Sequence, residues 1–361
     1  MRVGLIVNPI AGMGGPLGFK GTDGNAYLKA TELGGTRTSH LMAKRALSSV
    51  RGDIVFVSVE NMGSEVLTEL GISHKVIASA PSDSSAEDTK NAARLMSVDC
   101  NLILFCGGDG TARDILDAVG DSVPVLGIPA GVKMYSSVFA TTPENVSEIV
   151  DAFAAGSAKV TLRDVMDMNE EGYWGGNISA RFYGNLNVPY VPELVQSCKG
   201  VYEGGNETEE ADEVAEYIVS NMEDGVLYII GPGSTTGLIM KKLGLNDTVL
   251  GVDAVLCGEL VGKDMNEREI IAMAEVHEKI TLILGIIGKQ GFFLGRGNKE
   301  LTPKAIRMIG TDNIILVSGA TKLNDLKELH VDTGDPELDR ELRGYRNVVF
   351  RYGRERVMKV V

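Results

Sequence analysis

The stretch NLILFCGGDGTARDILDAV, residues 101–119, decides how the rest of the chain is read. Asn101 to Cys106 is an almost unbroken apolar run, the mark of a strand buried on both faces of a parallel sheet. Glycines follow at Gly107, Gly108 and Gly110, and TARDILDAV then takes up a helical spacing. A strand passing through a glycine turn straight into a helix is the repeating unit of an α/β sheet. The alternation continues on either side. Upstream lie strand-like runs at Val3 to Val7 and Asp53 to Val59. After them SDSSAEDTKNAARLM offers Ser/Asp caps before helically spaced Ala and Leu. Downstream, Pro124 to Pro129 gives another short strand. Residues 1–165 are therefore expected to form a doubly wound, Rossmann-like α/β domain with a parallel sheet.

From about Val165 the texture changes. MDMNEEGYWGGNISARFYGNLNVPYVPEL is rich in Asn, Gly and aromatic residues and reads as hairpin or loop material, which places a domain border after residue 165. The run Glu203 to Glu216 holds seven acids and no base, as expected of a solvated helix face beginning near Glu207. Beyond it, VLYIIGPGSTTGLIMKKLG again gives strand, glycine loop and helix, and KITLILGII and NIILVS resume the buried-strand pattern. Residues 166–361 are thus expected to form a second α/β (α+β) domain, whose last segment can pack back on the first.

Composition narrows the function. The 361 residues are 44% hydrophobic and 23% charged, which suits a globular chain of about two domains. A net charge of −14 provides no broad basic field, so neither nucleic acid nor an anionic membrane surface is an expected partner. Any phosphate must be held locally. Cys100, Cys106, Cys198 and Cys257 show no CxxC spacing and read as reduced core thiols of a cytoplasmic protein. The opening MRVGLIVNP is too short for a secretory h-region, and no later apolar run reaches the roughly 18 residues of a membrane span. His40, His74, His277 and His330 have no metal-ligand or triad neighbours in sequence, and no serine sits in a G-x-S-x-G elbow.

Asp109 is the residue out of place. Glycines let backbone approach phosphate oxygens, and the N–H groups of a helix start favour negative charge. A carboxylate in such a cradle repels the ligand unless it binds a bridging metal or takes a proton from an attacking hydroxyl. Both uses point to phosphoryl transfer. The plainer reading is an Asp that caps the following helix, which leaves the three glycines unexplained.

GGDGT after a strand resembles the signature of the ATP-NAD kinase superfamily, whose relatives include diacylglycerol, sphingosine and phosphofructo-kinases. The nearest resemblance is to the archaeal and bacterial ATP-NAD kinase-like branch that includes the acetoin-catabolism X proteins. It is carried by NPIAGMGG, GGDGTARDI, GIPAGVKMYSSVFATTP, GPGSTTG, VDAVL with GELVGKDMNE, GRGN followed by TPKAI, and VDTGDPELD, in order along most of the chain. The resemblance implies a nucleotide-binding first domain, an active site in the interdomain cleft, ATP and Mg²⁺ as cofactors, NAD as the first-choice acceptor, and a homo-oligomer. Another small polyol or metabolite as acceptor, and a nucleotide-binding regulator without turnover, remain alternatives.

Carried over residue by residue, the resemblance makes Asp109 the catalytic and metal-binding group, with Gly107, Gly108, Gly110 and Thr111 around the phosphates. Asn8 and Gly12 in the first loop and Lys133 in the loop after Pro129 join the nucleotide site. Gly233, Ser234, Thr235 and Thr236 resemble the Gly-Ser-Thr element of NAD kinases. Their G-x-G-x-x-x-G spacing misses the dinucleotide fingerprint of dehydrogenases. Generic loop, surface-lysine and helix-cap readings stand beside each of these. Lys20 and Asp23 are loop charges that can meet a phosphate or a metal. Arg296 of GRGN is either a phosphate clamp or part of a plain turn. Asp335 of DTGD is either a metal or ribose ligand or the cap of the helix PELDREL. The Asn-Glu/Asp pair of NAD kinases has Asn169-Glu170 as its nearest candidate here.

Overall fold

A computed structural model describes residues 1–19, 25–51, 53–131, 134–168, 180–196, 205–248, 250–287 and 290–361. The chain divides into two compact units, Met1–Gly14 with Gly21–Cys198, and Gly15–Lys20 with Lys199–Val361.

The first unit is built on β1 (Arg2–Val7), β2 (Val55–Glu60), β3 (His74–Ser79), β4 (Leu102–Gly107) and β5 (Val125–Pro129). All pair in parallel, in the order β3-β2-β1-β4-β5. Its helices are α1 (Asn25–Glu32), α2 (Ser39–Leu47), α3 (Ser64–Glu69), α4 (Ala86–Ser97), α5 (Asp109–Val119) and α6 (Asn145–Ala154). β4 is buried over its whole length, as its apolar run demands of a strand covered on both faces. α4 starts where the sequence placed its cap: Ser85 and Asp88 form a reciprocal capping box, with Ser85 N donating to Asp88 Oδ2 at 2.8 Å. From β1 to β3 the strands step outward one way, and the chain then returns to lay β4 on the other side of β1. That reversal is a topological switch point, where loops leaving the carboxyl ends of β1 and β4 diverge and open a crevice.

A long antiparallel hairpin, β6 (Lys159–Met168) with β7 (Ala180–Tyr190), completes the unit. Its inner residues Val165, Leu186 and Val188 belong to the same core as the five-stranded sheet. The expected border after residue 165 therefore falls inside β6, and the division runs instead at Cys198/Lys199. The Asn- and Gly-rich texture marks a hairpin of the first unit.

The second unit carries β8 (Leu227–Ile230), β9 (Asp253–Leu256), β10 (Glu259–Gly262), β11 (Ile280–Gly285), β12 (Phe292–Leu294), β13 (Ile314–Val317), β14 (His330–Val331), β15 (Gly344–Arg351) and β16 (Arg354–Val360). Its helices are α7 (Gly205–Ser220), α8 (Ser234–Lys242), α9 (Glu267–Val276), α10 (Pro303–Ile309), α11 (Ala320–Asn324) and α12 (Pro336–Leu342). A seven-stranded sheet runs β10-β9-β8-β11-β13-β15-β16. β8, β11, β13 and β15 are parallel, whereas β9, β10 and β16 are antiparallel additions at the two edges. Side chains alternate between two cores. Leu282 and Leu284 face one with α9, α10, α11 and α12, and Ile283 faces the other with α7 and α8. The final strands thus belong to the second unit's own sheet.

Four sequence readings are decided here. Cys257 is exposed, at the turn between β9 and β10, where it and Gly258 have φ of 51° and 76°, as a tight hairpin turn requires. Cys100 and Cys106 are buried thiols, and Cys198 lies outside the described residues. Within the acid run, Glu210 is buried, accepting from Thr321 N at 2.7 Å and from Arg351 Nη2 at 3.2 Å. Arg296 is buried as well, with its guanidinium 3.7 Å from Asp332 and over the Phe292 ring. Asp335 takes the capping role: Oδ1 accepts from Glu337 N and Leu338 N ahead of Pro336. Arg307 and these amides hold its carboxyl down at about 2.

Gly127 of β5 lies under the edge-to-face pair Phe105 and Phe139, whose centroids are 5.4 Å apart. A Cβ there would overlap the Phe139 ring and stand 3.0 Å from Phe105. Gly127→Ala is expected to lower the urea midpoint by the equivalent of about 1–3 kcal/mol through overpacking. An unchanged midpoint would show that the ring pair has room to move.

Candidate active site

Three loops meet at the carboxyl edge of the first sheet. Asn8 N donates to Cys106 O at 3.0 Å, which holds the loop after β1 against the end of β4. The Asn8 side chain then works both ways: Nδ2 donates to Thr111 Oγ1 at 3.0 Å, and Oδ1 accepts from Ile10 N at 3.1 Å. The first loop is thereby pinned to the first turn of α5. Gly12, at φ 77°, passes so close to Ala130 O and Thr38 Oγ1 that any side chain would overlap both. A Cβ on Gly107 would overlap Thr111. A Cβ on Gly108 would lie 3.0 Å from the Gly131 Cα, and one on Gly131 would lie 2.7 Å from the Gly108 Cα. At Gly12, Gly108 and Gly131 glycine is required because backbone runs against backbone, and at Gly107 because the Thr111 side chain fills the space.

Asp109, the first residue of α5, is buried. Its Oδ2 accepts from Tyr135 N at 2.6 Å and its Oδ1 from Ser136 N at 3.1 Å. The Ser136 hydroxyl donates to Met166 O at 2.8 Å and accepts from Met166 N at 2.9 Å, which links the same loop to β6. Burial pushes the Asp109 carboxyl up to about 7. The Ser136 hydroxyl and the two amides oppose that push, and the Asp167 carboxylate adds to it. A buried carboxyl near 7 can hold or release a proton at neutral pH, the property wanted of a general acid or base.

Asn8, Gly12, Gly107, Gly108, Asp109, Gly110 and Thr111 are thus brought together at the switch point. Gly233, Ser234, Thr235 and Thr236 lie in the second unit, at the carboxyl end of β8. There Gly233 has φ 147°, Ser234 is exposed, Thr235 and Thr236 are buried, and the Thr236 hydroxyl donates to Gly233 O at 3.0 Å. That last bond returns the hydroxyl to the carbonyl of the cap residue, and no side chain caps the amides of this helix. Lys133, Lys20, Asp23, Asn169 and Glu170 fall outside the described residues. Sequence reasoning missed Tyr135 and Ser136, which act on Asp109 through backbone N–H groups that every non-proline residue carries. The only signal available was the SS pair in the loop after Pro129.

The geometry suits an anion. α5 is eleven residues long, the amides of its first turn have no intrahelical acceptor, and glycines clear the approach to them. For a divalent cation the supply is thinner. Among the described residues no three His, Cys, Asp or Glu side chains are grouped to hold a metal. Among the described residues no helix is long and apolar enough to cross a membrane.

A doubly wound α/β unit with a glycine-lined anion turn at its switch point, followed by a second sheet-rich unit, defines the class. Residues 3–158 match the ATP-NAD kinase N-terminal domain and residues 223–360 the ATP-NAD kinase C-terminal domain, and the chain belongs to the ATP-NAD kinase superfamily. Membership supports an ATP-dependent kinase. Comparison with curated proteins gives no match. Among solved structures, one assigned as a diacylglycerol kinase from Bacillus anthracis str. Sterne is similar at 12% identity and a TM-score of 0.25. It matches 63% of this chain, which in turn spans 59% of that one.

Two outcomes check the site. Gly131→Ala is expected to force the loop after β5 off Gly108 and to weaken binding of an ATP analogue at least tenfold in a titration; unchanged affinity would place the nucleotide elsewhere. The second concerns pH. Between pH about 4 and about 7 the folded chain keeps a proton on Asp109 that the unfolded chain has released, so stability falls as pH rises across that window and levels off above it. Asp109→Asn lacks this slope. The stability of the wild type minus that of the variant is expected to decline by up to about 1.4 kcal/mol per pH unit. Parallel curves would mean that the carboxyl ionises at its ordinary pH.

Proposed function

We propose that the protein transfers the γ-phosphoryl group of ATP to a hydroxyl of NAD, forming NADP. One observation supports this most: Asp109, buried with its carboxyl raised to about 7, sits on the first turn of α5 beside backbone that only glycine permits. In this reading the α5 amides and the Asn8–Thr111 pair fix the phosphate chain in line with the acceptor. Asp109 accepts the proton of the attacking hydroxyl, and its bonds to Tyr135 N and Ser136 N keep it oriented while its charge changes. Magnesium bound with the nucleotide would neutralise charge on the bridging phosphate oxygens. Lys133 is a second contributor to phosphate binding in the same proposal.

Incubation with ATP, Mg²⁺ and NAD, with NADP followed by a coupled dehydrogenase, is expected to give steady product. Asp109→Asn is expected to lower kcat at least a hundredfold, within the range for loss of a general base. ADP release only with other hydroxylated acceptors would change the acceptor. Nucleotide-induced thermal stabilisation without turnover on any acceptor would leave a binding protein.

A further inference from the structure

A second helix opens at the strand end from which α5 starts. The Cys106 thiol, near the end of β4, donates to the carbonyl of Ser39, the first residue of α2, at 3.2 Å. Gly107 and Gly108 follow Cys106 directly and lead into α5. The loop after β1 touches both helix starts. Its Asn8 is bonded to Thr111 of α5, and its Gly12 presses against Thr38, the residue before α2. Each helix start carries unpaired amides and a partial positive charge, so two of them at one point favour an anion with more than one charged group.

Thr38 stands at the N-cap position of α2 but does not cap it. A capping Thr is extended and turns its hydroxyl to the second or third amide of the helix. Thr302 does so ahead of α10, at φ −71° and ψ 163°, where its Oγ1 accepts from Ala305 N. Thr38 has φ −100° and ψ −21°, and its hydroxyl makes no bond to the helix. It faces Gly12 instead, 2.5 Å from where a Cβ there would stand. Thr38 Oγ1 and the Oγ of Ser39, a residue 0% exposed, are both out of water and have no hydrogen-bond partner. Buried polar atoms without partners are exceptions in folded proteins, and a bound group removes the exception. The first amide of α2 to bond within the helix is Met42 N, to Thr38 O at 3.1 Å, so the amides of Ser39, His40 and Leu41 precede the ladder. The carboxylates at hand are engaged. Glu69 of α3 accepts from Lys44 at 2.8 Å and lies 3.1 Å from His40 Nε2, and Asp109 is held by Tyr135 N and Ser136 N.

We propose that α2 supplies the second half of the phosphate cradle: the hydroxyls of Thr38 and Ser39 and the first amides of α2 hold one phosphate group of the nucleotide while the α5 turn holds its neighbour. The site then takes a chain of at least two phosphates, as in a nucleoside diphosphate or triphosphate, in preference to a monophosphate. The inference deepens the kinase reading above and rests on it. A hydroxyl without a partner turns onto a phosphate oxygen with no bond to break, and the bond it forms there is to a charged acceptor.

The double variant Thr38→Val with Ser39→Ala tests it, because removing hydroxyls that bond to nothing takes no hydrogen bond from the fold. Its melting temperature without ligand is expected to equal or exceed that of the wild type. In an isothermal titration with Mg²⁺ and a non-hydrolysable ATP analogue, it is expected to bind at least tenfold more weakly than the wild type. Thr38→Ser keeps the hydroxyl and is expected to stay within threefold of the wild type. The wild type is expected to bind ADP at least tenfold more tightly than AMP. Equal affinity of wild type and double variant for the analogue overturns the inference and leaves the kinase reading standing, as does AMP bound as tightly as ADP. A melting temperature lowered in both the double variant and Ser39→Ala would show that the hydroxyls are bonded within the fold, and also overturns it. No binding of the analogue to the wild type overturns both readings. The expected tenfold difference supports the inference even if no acceptor is turned over.

Discussion

Two hydrogen bonds, from the amides of Tyr135 and Ser136 to the carboxylate of Asp109, hold the candidate site together. They fasten the loop after β5 to the first residue of α5. The Ala130 and Gly131 amides, each donating to Gly107 O at 3.0 Å, hold the same loop over Gly108, and the Ser136 hydroxyl links it to Met166 of β6. Bonds to a charged acceptor out of water contribute about 1.5–3 kcal/mol each, and removing the acceptor leaves two buried amides unsatisfied. One side chain thus shapes the crevice on three sides.

The same arrangement explains how a carboxylate can sit where phosphates are expected. Left in water, Asp109 would be fully ionised at pH 7 and would repel the ligand. Burial shifts the balance towards the neutral form, and the amides stop the shift near 7. The group is then able to change charge as a hydroxyl proton leaves. Helix amides and glycine backbone supply the attraction that a chain of net charge −14 does not supply overall.

Much of the fold was legible in the sequence because parallel strands covered on both faces must be continuously apolar. β4, β5, β8, β11 and β13 all show that run, and Ser85 and Pro336 mark helix starts by their own chemistry. The misplaced border has a physical cause. β6 and β7 carry apolar residues on both faces, with Val160, Leu162 and Phe182 exposed, so nothing local in them shows that it is Val165, Leu186 and Val188 that pack into the first core. The edge hairpin β9–β10 was hidden by a turn built on Cys257, a residue type that rarely signals positive φ. At the site, GGDGT declared itself by residue type, and Asn8 became a candidate through the family resemblance. The partners of Asp109 come from 26 and 27 residues away and act through main-chain N–H groups, so no composition could reveal them. Arg296 read as an available fork because its buried partner, Asp332, lies far along the chain.

A crystal structure with magnesium and a non-hydrolysable ATP analogue tests the central claim most directly. Phosphate oxygens should lie within hydrogen-bond distance of the Gly110 and Thr111 amides, with Asp109 still bonded to Tyr135 N and Ser136 N. A nucleotide bound away from the carboxyl ends of β1 and β4, with Asp109 unchanged beneath an empty turn, would contradict the account.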